Sequence, residues 1–243
     1  MTVSIKFLLY INILLFAVTV SAQDIDTIAT QQERIEDTVV VVKVPEQYGL
    51  RVGIDLSKII RSAFDDTYKG LSVLGDFRIK DNYYLAAELG TETKDAVENT
   101  FDATVKGSYI TAGFNYNAYE NWTGMSNLIY AGVRVGYSRF NTDLNSYTIY
   151  TTNTFFPPDV REETRSYDAL SGAWLEFQLG VQAELFSNLY LGINVQLKSL
   201  VSQKEPEGFG NLYIPGFNKV TTDNKFGAGY GYTLMYLIPI YKK

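Results

Sequence analysis

Residues 173–185 read Ala-Trp-Leu-Glu-Phe-Gln-Leu-Gly-Val-Gln-Ala-Glu-Leu. Ala173, Leu175, Phe177, Leu179, Val181, Ala183 and Leu185 are all apolar. Between them stand Trp174, Glu176, Gln178, Gly180, Gln182 and Glu184, mostly polar or small. Successive side chains of a strand point to opposite faces, so this period of two predicts a β-strand with one greasy and one polar side. Ser187-Asn188 follows as a two-residue turn, and Leu189–Leu197 repeats the alternation. The pair predicts an antiparallel hairpin.

The same reading extends over most of the chain. Alternation predicts strands over roughly 48–63, 71–80, 83–94, 103–119, 128–150, 167–186, 189–203 and 225–241. Eight is an even number, as an up-and-down barrel requires. Alternation by itself also fits a soluble barrel, which hides its apolar face inside. Three features favour the inverted arrangement, with the apolar face in lipid.

The polar face is short of long surface charges. It mixes Gly, Ser, Thr, Asn and Gln with isolated ions: Arg51, Asp55, Asp76, Arg78, Glu88, Arg134, Glu176, Glu184 and Lys198. Four cations against five acids is nearly balanced, as a buried lumen network should be. Gly113, Gly132, Gly136, Gly180 and Gly192 leave room for those side chains. Connection lengths alternate too. Links 64–70, 95–102, 151–166 and 204–224 are long, whereas Asp81-Asn82 and Ser187-Asn188 are tight turns and 120–127 is intermediate. Outer-membrane barrels carry long loops outside and short turns on the periplasmic side, which would put both termini in the periplasm. Finally, aromatics gather near strand ends, at Tyr48, Tyr83, Tyr84, Tyr116, Tyr119, Tyr137, Tyr150, Phe186, Tyr190, Phe226 and Tyr241. Aromatic girdles at both interfaces would look like this.

The start of the chain reads as an address. Lys6 precedes the uncharged, mostly apolar run Phe7–Val20, and Val20-Ser21-Ala22 offers small residues for cleavage, so residues 1–22 are expected to be a signal peptide cut after Ala22. The run is short for a spanning helix, which needs about 20 apolar residues. Residues 23–47 form a polar periplasmic leader, and 48–243 the barrel domain.

Composition narrows the chemistry. The 243 residues include no Cys and no His, which removes disulfides, thiolate nucleophiles, lipoprotein cysteines, and the commonest base and metal ligand. No cofactor or metal site is expected, although Asp65, Asp66, Asp95, Glu98 and Asp102 sit in the first outer loops. With 21 basic and 27 acidic residues the net charge is −6, so nucleic acid is not an expected partner. The Gly-rich run Gly227–Gly231 resembles a phosphate loop only superficially, because no helix follows it.

The region from Tyr48 to Tyr241 resembles the small eight-stranded outer-membrane β-barrels of Gram-negative bacteria, of the OmpA and OmpX type. The likeness lies in the signal peptide, the alternating segments, the loop parity and the aromatic last strand Tyr230–Tyr241. It departs from that class at Pro239 and at the Lys242-Lys243 tail. The resemblance implies a cell outer-membrane location, lipid and the barrel-assembly machinery as partners, and a monomer. Enzymes of that class depend on histidine, so their mechanisms do not carry over and a non-enzymatic role is expected.

Functional weight then falls on the loops. Phe155 and Phe156 in 151–166, and Phe209, Tyr213 and Phe217 in 204–224, offer a candidate binding surface for an extracellular protein. The same aromatics could instead fold back over the barrel mouth. A structural or surface-binding barrel leads. A narrow passive pore and a soluble periplasmic lipocalin-like barrel for an apolar ligand remain as alternatives.

Overall fold

The computed structural model describes residues 47–98, 100–119, 127–149, 159–208, 210–219 and 225–242. The expected signal peptide and almost all of the expected leader lie outside them. Eight long strands close into one antiparallel ring: β1 (Gln47–Asp55), β2 (Tyr68–Lys80), β3 (Tyr83–Glu98), β4 (Phe101–Asn117), β5 (Leu128–Ile149), β7 (Arg165–Phe186), β8 (Leu189–Lys204) and β11 (Phe226–Lys242). Each pairs with its neighbour in the chain, β4 bonds β5, and β11 returns to β1. Three short strands accompany the ring: β6 (Asp159–Arg161) on β5, and the hairpin β9 (Tyr213–Ile214) and β10 (Asn218–Lys219). No helix among the described residues is long and apolar enough to cross a membrane; strands do the crossing.

The apolar face points outward, as lipid demands. Leu175, Phe177, Leu179 and Val181 are about half exposed, while Glu176, Gln178 and Gln182 are buried in the lumen. The same division holds on β5, where Val133 and Val135 face out and Arg134 and Ser138 face in. The long strands pair with their neighbours all the way round the ring, as a barrel in hydrocarbon needs.

Two sequence expectations are corrected here. The first strand was expected to run to residue 63, but it stops at Asp55, and a helix, α1 (Leu56–Phe64), follows. Apolar residues at 56, 59, 60, 63 and 64 have helical spacing. Asp55 caps the helix by accepting the Ser57 N–H at 2.9 Å. Past Asp55 the ring lacks a strand between β2 and β11, and α1 lies along both. Its side chains answer the bared strand edges: Ser62 Oγ accepts the Gly70 N–H at 2.8 Å, and Asp55 accepts the Tyr232 N–H at 3.2 Å. Ile59, Ile60 and Phe64 project outward. The second correction concerns link 95–102. It is not a long loop, because β3 and β4 stay in register from Lys94↔Val105 to Glu98↔Phe101.

At the end that holds both chain termini of the ring, Asp81-Asn82 and Ser187-Asn188 make tight turns. Pro239 lies beside a register shift opposite Gly49, near the strand end, where its missing N–H is tolerated. Tyr83, Tyr116 and Phe186 project outward here, with the Tyr83 and Tyr116 rings 5.3 Å apart. Three expected girdle residues turn inward instead. Tyr84 and Tyr190 have inward parity, and Tyr48 donates its hydroxyl to Asp81 at 3.0 Å.

Candidate functional site

The lumen is the most organised polar region of the molecule. Arg51 on β1 pairs with Asp76 on β2 at 2.6 Å, with the guanidinium over the Tyr84 and Tyr190 rings at 4.7 and 5.5 Å. Higher in the barrel, Arg134 reaches Glu88 at 3.9 Å and Lys198 reaches Glu176 at 3.7 Å. Lys58, from the inner side of α1, pairs with Glu92 of β3. Each of these ions is largely buried, so each needs its partner to offset lost hydration.

Three of the expected network residues behave differently. Asp55 is buried, but its carboxylate caps α1 and holds the β11 edge. Arg78 lies at the tight-turn end, donating to the Asp81 carbonyl at 2.9 Å and covering the Tyr48 ring. Glu184 lies at the other tight turn and accepts the Asn188 N–H at 3.0 Å. Glu88, Glu176 and Glu184 therefore each serve a separate partner.

The reading of the loop aromatics changes most. Phe155, Phe156 and Phe209 lie outside the described residues. Tyr213 and Phe217 are not surface residues: they are 5% and 0% exposed. The β9–β10 hairpin bends into the lumen and packs Tyr213, Ile214 and Phe217 against Tyr68, Tyr109, Phe140, Leu170, Trp174 and Leu200. Phe217 meets Trp174 edge-on at 5.9 Å. The reason is burial: three large apolar side chains on a short loop gain more in an enclosed apolar cup than in water.

Glu92 fastens this insertion. One carboxylate oxygen takes the Tyr213 hydroxyl at 2.5 Å and the Gly216 N–H at 2.9 Å, while the other faces Lys58. Lys198 donates to the Gly216 carbonyl at 2.7 Å. Gly216 has φ +79°, and a Cβ there would fall 2.5 Å from the Tyr109 ring, so only glycine fits. Gly136 similarly makes way for Trp174, whose ring lies 2.1 Å from where a Cβ would stand. Sequence reasoning left Glu92 and Lys58 out of the network. Glu92 shares the inward parity of Glu88, which was a usable signal. Lys58 could be placed only once α1 was seen as a helix.

Among the described residues the lumen holds cavities of about 20 and about 90 Å³. Asn115 Oδ1, Arg134 Nε and Gln178 Oε1 at the smaller, and Thr111 Oγ1 and Glu176 Oε1 at the larger, have no hydrogen-bond partner among the described residues. Both cavities are polar and large enough for water. Among the described residues no group of three or more metal-binding side chains comes together. Asp65, in the turn after α1, and Asp95, within β3, accept the Thr67 and Thr104 hydroxyls.

A closed eight-stranded ring with an apolar outer wall and a polar, filled interior defines a small transmembrane β-barrel of the outer-membrane type. Across residues 3–243 the chain matches the family described as a domain of unknown function (DUF6048), and it belongs to that family. No curated protein matches it significantly. Among solved structures it is similar to the attachment invasion locus protein Ail of Yersinia pestis, at 9% identity and a TM-score of 0.39 over 80% of this chain and 99% of that one. The same protein in complex with the heparin analogue sucrose octasulfate gives 10% identity and a TM-score of 0.36 over 79% and 97%.

Proposed function

We propose that the mature chain is a non-enzymatic, monomeric barrel of the cell outer membrane that acts through its loop end, structurally or by binding, rather than by conducting solutes. The filled lumen carries this reading. Ion pairs occupy its lower part and the β9–β10 hairpin its upper part, beside cavities of about 20 and about 90 Å³. Eight-stranded barrels are just wide enough for such filling. Tight turns beside the chain ends support periplasmic termini, with the long connections outside. Export by a signal peptide cut after Ala22, insertion by the assembly machinery, and no nucleic-acid partner complete the proposal.

The test is electrical. Purified protein in planar bilayers should add no current above the bare membrane, and discrete single-channel steps would overturn the closed reading in favour of a pore. The soluble alternative is tested by carbonate washing of membranes. The protein should stay in the pellet, because its outer wall is apolar; release without detergent would reject the membrane assignment.

A further inference from the structure

The lumen is filled in two unlike ways. Toward the tight turns, the wall's own side chains fill it with ion pairs and amides. Toward the loops, the wall turns apolar and aromatic, and the filler comes from outside the wall. Tyr213, Ile214, Pro215 and Phe217 are all nearly inaccessible there. The hairpin that brings them forms a two-stranded sheet of its own, separate from the barrel sheet. Among the described residues, its polar contacts with the wall include those of Glu92 and Lys198 and a bond from Asn218 Nδ2 to the Ala228 carbonyl at 2.9 Å. Its backbone is also under tension: Asn218, which is not glycine, has φ +108°. A polar cavity of about 90 Å³ lies beside Gly216 and Lys58.

We propose that the loop half of the lumen is a binding chamber for a small aromatic molecule bearing a hydroxyl group, and that the β9–β10 hairpin is a built-in occupant such a ligand displaces. The proposal rests on the reading of the barrel as closed to solutes. What the chamber accepts is legible in what now fills it. A phenol ring points its hydroxyl at the buried Glu92 carboxylate, and branched and aromatic groups fill the space against Trp174 and Leu170. A buried carboxylate favours a hydroxyl donor strongly over an isosteric ether, because the ether leaves it one donor short. The Arg51–Asp76 and Arg134–Glu88 pairs lie beneath it, toward the tight turns.

The test uses the mature chain in lipid nanodiscs, with residues 211–218 replaced by an equally long glycine-serine segment. Equilibrium dialysis measures 1-naphthol and 1-methoxynaphthalene, with empty nanodiscs subtracted. The replaced chain should bind 1-naphthol saturably, one per barrel, about tenfold or more tighter than both the methoxy compound and the intact chain's own binding of 1-naphthol. Adding Glu92→Gln should shrink the hydroxyl preference to about threefold or less. A replaced chain that keeps heat-modifiable gel migration yet shows no saturable site, or no preference, overturns the proposal. If the replacement fails to fold, Tyr213→Phe in the intact chain decides. It removes the hydroxyl that competes for Glu92 and should strengthen 1-naphthol binding several-fold; unchanged binding overturns the proposal. Bilayer currents separate the two claims. Current through the intact chain defeats the closed-barrel reading. Current through the replaced chain alone shows that the lumen beneath is open and defeats the chamber.

Discussion

Arg51 and Asp76 show what a single residue contributes in this lumen. The pair is largely buried, with 5% and 8% of the side chains exposed, so removing one member strands a charge. Asp76→Ala is expected to lower stability by about 3–5 kcal/mol, measured by urea unfolding in phospholipid vesicles. Replacing both, Arg51→Met with Asp76→Leu, should recover most of that loss, because no ion is then left alone. Asp65 gives a test at the rim. The Thr67 hydroxyl bonded to it, with Lys94 at 3.3 Å, holds its carboxyl down at about 2 against an ordinary 3.8. The carboxyl is lowered in the folded state, so its contribution is complete above about pH 4 and disappears as pH falls toward 2. In Asp65→Asn that part of the acid dependence should vanish from an unfolding titration between those limits. At this scale parity was a good guide. It put Arg51, Asp76, Glu88, Arg134, Glu176 and Lys198 on the inward face, where all six are buried. It could not reveal partners, because pairing depends on register between strands, and it said nothing of Tyr213, which sits outside any long strand.

Among the elements, α1 is the one that alternation missed. A period of two reads well to Ser57 and then fails at Lys58-Ile59-Ile60, where the helical spacing and the Asp55 cap take over. Asp55→Ala should cost about 1 kcal/mol as a lost cap. It should also speed amide exchange at Tyr232, which loses its acceptor; unchanged exchange there would argue against the edge-holding role. The wall makes a second prediction. Leu179→Arg, outward near mid-strand, should destabilise insertion by about 2–4 kcal/mol, whereas Val201→Arg, outward near the loop end of β8, should cost about 0–1. Refolding yields into vesicles, followed by heat-modifiable migration, compare the two. The strand hairpins were legible because lipid on one side and a packed lumen on the other enforce alternation residue by residue. The β9–β10 insertion was not, because Tyr-Ile-Pro-Gly-Phe carries no strand period and is buried only by the barrel that surrounds it.

For the whole molecule, ring closure and inside-out polarity followed directly from the sequence pattern, while the true reach of the wall did not. β5 and β7 each have 22 residues, a length of roughly 70 Å along the strand, well beyond what a hydrocarbon core about 25 Å tall requires even at a steep tilt. The excess lies toward the loops and builds the walls that enclose the hairpin. Parity of loop lengths therefore understated the structure: part of what looked like loop is raised wall, and part is filling.

The shortened first strand has a mechanical side. β1 is in register with β2 only over Leu50–Ile54, and with β11 from Gln47 to Asp55, while β3 and β4 are zipped from Tyr83 to Glu98. Under a pull on the N-terminus, the ring would tear along its lightest stitching. β1 and α1 would peel away as one flap, and the other seven long strands would remain as an open, curved sheet. The barrel thus has a built-in rip line, and the helix is the patch sewn over its upper half.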